Sequence, residues 1–409
     1  MSALIISTSG RMLAEAAARA GDSAFVIDLF ADRDTVACAK GVIAVDDPHG
    51  SLKFTYDNLD TAFSKLRQRL GAQDYIDRLV LGTGFEDQPR LIESCLARLG
   101  QLFGEMRYLG NPNIAVALAK EPVHLANLTR SAGLQHPQLR IGQPGQKLKD
   151  SGRWLIKQQG GYGGMHIRWS PTTNPDLQPN EYEQEFIDGA QIGVVFASQK
   201  IGSQYETEIL GLTRNWLHPG PGAPFRWGGV AGDLLVPDPI LEFFYTATRT
   251  IAQNLKLTGV NGLDCILQHS SFYGIEINPR PTASFELCAL ACAETSLWSE
   301  FYGKGQNSLT PGFQRLKHRL LQPYRPSRAR AIVYAEQDLE LPDDYTWPED
   351  CSDIPSIDTI IAGSPVCSVM VTGVEVNDTI RKAQQRVREL EAELHQKFVA
   401  AKQVAAVSP

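Results

Sequence analysis

The chain has 409 residues, 43% of them hydrophobic and 21% charged, with 46 acidic against 39 basic side chains and a net charge of −7. That length accommodates two or three domains with substantial cores, and the mild acidity argues against nucleic acid or an anionic membrane as the main partner. No apolar run reaches the length of a membrane span, the start, MSALIISTSGRM, lacks a basic region ahead of a long apolar core, and an odd cysteine count suits neither a disulfide framework nor a zinc site, so a reducing cytoplasm is the expected location.

The N-terminal third alternates strand and helix signals. ALIIST is a short apolar run, SGRMLAEAAARAG is helix-prone with Ser at its front and Gly at its end, and SAFVIDLF and GVIAVD read as further strands. DRLVLGTGFED is a strand ending in a glycine turn, followed by a helical PRLIESCLARLG. This alternation predicts a parallel, doubly wound sheet over residues 1–107. The first turn has no G-x-G-x-x-G, so no dinucleotide is assigned to it. Ligands of such sheets bind at the carboxyl ends of the strands, here residues 7–10 and 82–86. Gly82-Thr83-Gly84 either binds a carboxylate through its N–H groups or is a plain strand-to-helix turn.

A second unit, residues 108–308, opens with one helical stretch, AVALAKEPVHLANLTRSAG. A strand, RWLIKQQ, runs into GGYGGMHIRW, and EYEQEFIDGAQIGVVFASQ reads as two extended runs around a tight turn at Asp188-Gly189. HPGPGAPFRWGG has no periodicity and reads as a loop, in which Arg226 and Trp227 are either substrate contacts or an anchor. A helix, EFFYTATRTIAQNLKL, precedes the segment VNGLDCILQHSSFYGIEINPRP. The third unit, residues 309–409, holds RARAIVYA, IPSIDTIIAGSPVCSVMVTG and a charged helix whose stripe of Ile380, Val387, Leu390 and Leu394 predicts docking by one face. The seven cysteines form no C-x-x-C pair, and Cys288 and Cys292, four apart, read as small buried apolar residues.

The chemistry concentrates near residue 276. Strand alternation puts Glu276, Asn278 and Arg280 on one face and Ile275 and Ile277 on the other. A hairpin centred on Ser270 sets Asp264 opposite Glu276, and two like charges face to face imply a cation between them. Two carboxylates and an amide are hard oxygen ligands suited to Mg²⁺ with nucleotide phosphates. Upstream, Lys157 lies on a strand leading into Gly160, Gly161, Gly163 and Gly164, a side-chain-poor loop that either caps a phosphate through backbone N–H groups or is simply a turn. It is not a P-loop, because G-x-x-x-x-G-K-[ST] is absent.

Lys120, K-x-x-G-G-x-G-G, Q-E-F-I-x-G, and Asp264 with E-x-N-P-R follow in an order and at intervals that resemble the ATP-grasp superfamily over residues 108–299. The preceding sheet resembles the superfamily's usual N-terminal unit, and the tail is similar to the C-terminal lobe of biotin-carboxylase-type members. The resemblance implies an α/β and α+β ATP-grasp fold with an N-terminal doubly wound (pre-ATP-grasp) sheet domain and a C-terminal biotin-carboxylase-like lobe. It implies that Lys120 and Lys157 contact the α- and β-phosphates of ATP and that Gly160, Gly161, Gly163 and Gly164 close over them. Glu185, Phe186 and Ile187 would read adenine through their backbone, and Gln191 stands where the family usually has a ribose-binding acid. Asp264, Glu276 and Asn278 would hold Mg²⁺, with Mn²⁺ as a substitute. Arg280 would steady an acyl phosphate, and Arg280 and Lys157 would be the catalytic pair.

The implied activity is that of an ATP-dependent carboxylate–amine ligase acting on small-molecule acids and amines, with no nucleic acid or membrane partner and a homodimer as the assembly to test. The loops TSGRMLAEAAARAG and LGTGFEDQPRLI are similar to those of predicted ligases of methanofuran- and tetrahydromethanopterin-type one-carbon carrier biosynthesis, tyramine–glutamate ligase among them. Two alternatives stand beside this. One is a bicarbonate-activating carboligase, which would normally need a biotin carrier, and the chain has no lysine in an M-K-M setting. The other is an ATP-binding regulator without turnover.

Overall fold

The computed structural model describes residues 2–47, 52–141, 152–171, 177–291, 296–303, 326–342 and 344–405, with side chains of the last helix described to 397. Cys292 and the expected boundary at 308/309 lie outside these residues. Strands β1 (Ser2–Ile6), β2 (Ala24–Asp28), β3 (Gly41–Ala44), β4 (Ile76–Leu81) and β5 (Arg107–Tyr108) form a parallel sheet in the order β3-β2-β1-β4-β5. Every residue of β1 and β2 is buried, as expected of parallel strands covered on both faces. Alternation sorts them: Ala3 and Ile5 pack with Leu13 and Ala17 of helix α1 (Arg11–Arg19), whereas Leu4 and Ile6 pack with Phe63 of α3 (Tyr56–Arg69) and Leu99 of α4 (Arg90–Phe103). A short α2 (Arg33–Cys38) follows β2. Helix α1 does not use the expected serine as its cap. Gly10 is its N-cap, and the Gly10 N–H donates to Asp28 Oδ2 at 3.0 Å.

The single helix expected after residue 112 is two, α5 (Asn113–Lys120) and α6 (Pro122–Ser131). Pro122 has no N–H to continue α5 but fits the first position of α6, and the Glu121 carboxylate caps that helix by accepting from the N–H groups of Val123 at 3.1 Å and His124 at 2.5 Å. The break leaves Lys120 at the very end of α5.

Strands β6 (Leu139–Arg140), β7 (Trp154–Gln158), β8 (Ile167–Trp169) and β9 (Glu181–Glu185) make a small antiparallel sheet in the order β6-β9-β7-β8. The next strand, β10 (Ala190–Ile201), belongs to a different sheet, so the turn at Asp188-Gly189 carries the chain between two sheets instead of closing a hairpin. With β11 (Gln204–Leu217), β12 (Trp227–Gly232), β13 (Gly259–Gln268) and β14 (Ser271–Asn278) it builds the large sheet, covered by α5, α6 and α7 (Asp238–Leu255). Trp227 to Gly229, expected in a loop, are strand residues paired with β11; the loop ends at Arg226.

Helices α8 (Ser284–Ala291) and α9 (Leu297–Tyr302) follow. Strands β15 (Ser327–Tyr334), β17 (Cys351–Ser352) and β19 (Pro365–Gly373) extend the same sheet, in the order β14-β13-β10-β11-β12-β15-β19-β17, while β16 (Leu339–Glu340) pairs with β18 (Thr359–Ile360). The last helix, α10 (Val376–Ala405), docks on this end through Ala383, Val387, Leu390 and Leu394, all buried, with Ile380 partly so.

Buried guanidiniums tie the parallel sheet to the rest. Arg11, 1% exposed, makes a two-pronged pair with Glu286 of α8 at 2.8 and 2.9 Å and donates to Asp353 at 2.7 Å. Arg78 on β4 pairs with Asp22 at 2.8 Å and donates to the Tyr302 carbonyl at 2.9 Å, while Trp298 Nε1 donates to the same Asp22 carboxylate. Arg11→Met would leave Glu286 and Asp353 short of a partner out of water. The expected loss is about 3–5 kcal/mol of unfolding free energy, read from urea titration of wild type and variant.

Candidate active site

The hairpin of β13 and β14 is the floor of the site. Its turn is the two-residue His269-Ser270, with His269 at φ 54°, and the ladder that leaves it, Gln268↔Ser271 through Cys265↔Gly274, would set Asp264 against Ile275. A bulge slips the register by one residue at that point, so Asp264 faces Glu276 and Gly262 faces Asn278. The expected pairing is present, but a turn centred on Ser270 is not its cause. The bulge also corrects the expected burial of Ile275: Ile277 is in the core, while Ile275 lines the cleft beside Glu276.

The cations that meet these carboxylates come from the protein. Lys120 Nζ lies 2.5 Å from Glu276 Oε1 and 2.9 Å from Asn278 Oδ1. Asn278 Nδ2 donates to Asp264 Oδ2 at 2.8 Å, and Asn215 of β11 reaches the other oxygen at 3.4 Å. Burial raises both carboxyls. The charge of Glu276 raises Asp264 further, while Lys120 and Lys157 outweigh burial at Glu276 and hold it low. Lys157, 7% exposed, is itself pushed down by burial and gives one long bond, 3.3 Å, to Gln184 Oε1. Burial and then the Glu276 charge thus favour the protonated form of Asp264, against the charges of Lys120, Arg280 and Lys157. A hard divalent cation on Asp264, Glu276 and Asn278 fits this donor set, with two carboxylates and one amide oxygen on one face.

Arg280 does not stand free. It pairs with Glu86, donates to the Pro281 carbonyl at 3.0 Å and lies 3.5 Å from Asn278 Oδ1. Glu86, 3% exposed, also accepts from the N–H groups of Gly84 at 2.8 Å and Phe85 at 2.9 Å. The turn after β4 therefore does bind a carboxylate through its backbone, and that carboxylate is the chain's own. Sequence reasoning missed Glu86 as a site residue, although an acid at the carboxyl end of a parallel strand was the available signal.

A cleft of about 470 Å³ opens over the floor, between the small and large sheets. It is lined by Lys157, Gly163, Gly164, Glu185, Phe186, Ile187, Gln191, Asp264, Glu276, Asn278 and Arg280. Lys120 reaches it through its bonds to Glu276 and Asn278. Phe186 and Phe225, which line the cleft, each pack on Trp169 with ring centroids 5.0 Å apart. The N–H groups of Glu185 and Phe186 are taken by the carbonyls of Gln138 and Arg153, so a purine read by this strand would use its other backbone groups. Gln184 Nε2 and His166 Nδ1 are buried here without a partner among the described residues, and burial, with the charge of Lys157, pushes His166 down to about 4. Arg226 is a loop anchor: it donates to the His218 carbonyl at 2.9 Å and stacks 3.8 Å over Tyr334.

The glycine loop splits in two. Gly163 and Gly164 line the cleft, whereas Gly160 packs on the backbone of Glu86 and Asp87 and Gly161 on the His166 ring. Gly164 has φ +75°, and a Cβ there would lie 1.8 Å from the Phe225 carbonyl oxygen. Gly164→Ala should lift the loop at a cost of about 1–3 kcal/mol, seen as a lower melting temperature together with faster amide exchange over residues 160–167.

Residues 121–284 match the ATP-grasp domain. Solved structures share the whole architecture. A Campylobacter jejuni biotin carboxylase in complex with βγ-ATP has TM-score 0.64 at 12% identity, covering 93% of this chain and 89% of that one. The biotin carboxylase domain dimer of Hydrogenobacter thermophilus 2-oxoglutarate carboxylase, bound to MgADP and bicarbonate, has TM-score 0.64 at 11% identity, with the same coverage of 93% and 89%. N5-carboxyaminoimidazole synthetase from Staphylococcus aureus with ADP has TM-score 0.59 at 15% identity, covering 94% and 97%. Identities this low show the fold alone. No curated protein matches the chain by sequence. No helix among the described residues is long and apolar enough to cross a membrane.

Proposed function

We propose, for a chain whose residues 121–284 are an ATP-grasp domain within a biotin-carboxylase-like architecture, that it is an ATP-dependent carboxylate–amine ligase working through an acyl phosphate. One observation carries this reading. Two facing carboxylates, an amide, two lysines and an arginine, drawn from four separate segments, converge on one cleft of nucleotide size. A purely structural hairpin gains nothing from that arrangement.

In this reading the adenine lies against Glu185, Phe186 and Ile187 with Gln191 near the ribose, and Gly163 and Gly164 cover the phosphates. Lys120 and Lys157 bind phosphate oxygens; both are buried, Lys120 bonds the Glu276 carboxylate, and the charges of both hold that carboxyl low. Asp264, Glu276 and Asn278 hold Mg²⁺, for which Mn²⁺ could substitute; when bound, the ion neutralises charge on the phosphates. An oxygen of the acid substrate attacks the γ-phosphorus and ADP leaves. Arg280, held in place by Glu86, steadies the developing oxyanion. The amine nitrogen then attacks the acyl carbon and inorganic phosphate leaves. Synthesis of a methanofuran- or tetrahydromethanopterin-type carrier is the pathway the N-terminal loops suggest. Bicarbonate as the acid is the second reading, supported by the shared architecture and by the bicarbonate in the Hydrogenobacter structure.

Incubation with ATP, Mg²⁺, hydroxylamine and a panel of amino acids should yield a hydroxamate, and bicarbonate-dependent phosphate release without any organic acid would favour the second reading. Glu276→Gln should abolish both while the protein stays folded. Lys157→Ala should weaken ATP binding in calorimetric titration by about 1.5–3 kcal/mol, the worth of a charge-assisted bond. Arg280→Lys should lower kcat far more than ATP affinity, because an ammonium lacks the two-pronged geometry. A normal turnover rate in that variant would remove Arg280 from the acyl-phosphate step.

A further inference from the structure

A second cavity, of about 400 Å³, lies away from the cleft, where the loops after β1 and β2 meet the far end of the large sheet. Its walls are apolar: Leu29, Phe30, Ile332, Pro355, Ile360 and Val366. Leu52, Ile357 and Ile361 stand at its edge, 40%, 58% and 62% exposed. Its charged lining residues are Asp32, Arg330 and Asp353, with Ser368 beside them and further hydroxyls from Ser9, Ser356, Thr359 and Ser364. The cavity and the cleft are neighbours across one loop. Thr83 lines the cleft and bonds Ser7 and Thr8, and Ser9, the next residue, lines the cavity.

The charges beneath this cavity do not balance. Arg11 and Arg330 supply two guanidiniums to a cluster containing Asp28, Asp32, Asp34, Glu286 and Asp353. Both arginines are committed: Glu286 and Asp353 each contact both of them, and Ser368 donates to Asp353 at 2.5 Å. Asp28 accepts from the N–H groups of Gly10 and Ala31, and Asp34 from those of Asp353 and Ile354. Asp32 is left over. It is 5% exposed and stands at the N-cap of α2, where its backbone carbonyl accepts from the Val36 N–H, but its carboxyl group caps nothing and makes no hydrogen bond or ion pair among the described residues. Burial first, then the charges of Asp353, Asp28 and Asp34, push its carboxyl up to about 8. A carboxyl group that lines an apolar cavity and takes no partner from the fold is open to a partner from the cavity.

We propose that this cavity binds an organic ammonium, its nitrogen on Asp32 and its apolar body against Leu29, Phe30, Ile332 and Val366. A cation at Asp32 offsets the repulsion from Asp353, Asp28 and Asp34 and so favours the ionised carboxylate, and the carbon walls select one with an apolar body over a bare metal ion. The size lies within the range of small-molecule pockets. Two sources share this chemistry: the acceptor amine of the reaction proposed above, or an amine that regulates it. The site itself does not depend on the ligase reading, because binding can be measured without turnover.

Calorimetric titration of the full chain with phenethylamine and hexylamine, against the neutral phenethyl alcohol and 1-hexanol, tests it. Each amine should bind at least about tenfold tighter than its alcohol. Asp32→Asn should erase that difference while alcohol binding persists, which also shows that the variant is folded. Should that variant fail to fold, Ile361→Arg places a like charge at the exposed mouth and should weaken the amines and spare the alcohols. Equal affinity for amine and alcohol, no binding of either, or unchanged amine binding in Asp32→Asn would overturn the site. So would sedimentation showing self-association that Ile361→Arg abolishes in a protein that binds neither amine, since a second copy would then cover this face. Phosphate release from ATP in the presence of a bound amine separates the sources. Consumption of the amine one-for-one with phosphate identifies an acceptor, and a changed rate without consumption identifies an effector; both results support the site.

Discussion

Asp264 and Glu276 face each other across β13 and β14, and the construction of the cleft follows from setting that pair of acids side by side, half-buried, on its floor. Two half-buried acids side by side cannot both ionise without nearby positive charge, and the fold brings that charge to them. It does so from separate parts of the chain. Lys120 arrives at the end of α5, Lys157 on β7 and Arg280 just past β14. Each of the three then needs its own support. The Glu121–Pro122 helix break places Lys120, Gln184 meets Lys157, and Glu86 holds Arg280.

Glu86 is the link by which the parallel sheet enters the site. Its carboxylate takes two backbone N–H groups of its own turn and the Arg280 guanidinium, so the loop after β4 and the segment after β14 are held as one piece. A movement of the sheet domain against the large sheet would have to strip that carboxylate of partners while it is still buried, which is unfavourable. The Arg11–Glu286–Arg330–Asp353 network fixes the same domain from the other side and extends to β15 and the loop after β17.

Much of the candidate site was legible because its residues are close in sequence or periodic. Glu276, Asn278 and Arg280 alternate on one strand, and the carboxyl ends of β1 and β4 follow from the strand–helix rhythm. The errors share one cause. AVALAKEPVHLANLTRSAG has continuous helical texture, yet Pro122 ends one helix and starts another. The turn at Asp188-Gly189 has the signals of a hairpin, but its two strands find partners in different sheets. Asp264 was paired with Glu276 through a turn centre that is off by half a residue, and the bulge restores the register.

The sequence by itself determined the element types, the parallel sheet and the polar face of β14, because these depend on local periodicity and on turn residues a few positions apart. Only the tertiary structure decided which charges meet. Lys120 reaches Glu276 across 156 positions, Arg280 reaches Glu86 across 194, and Arg11 reaches Glu286 across 275. The partner of a buried charge is set by which segments the packing of two sheets brings within a few ångströms. No local pattern carries that information, so the site's residues could be nominated from the sequence, while its electrostatics, and the unpaired Asp32 beneath the second cavity, came from the fold.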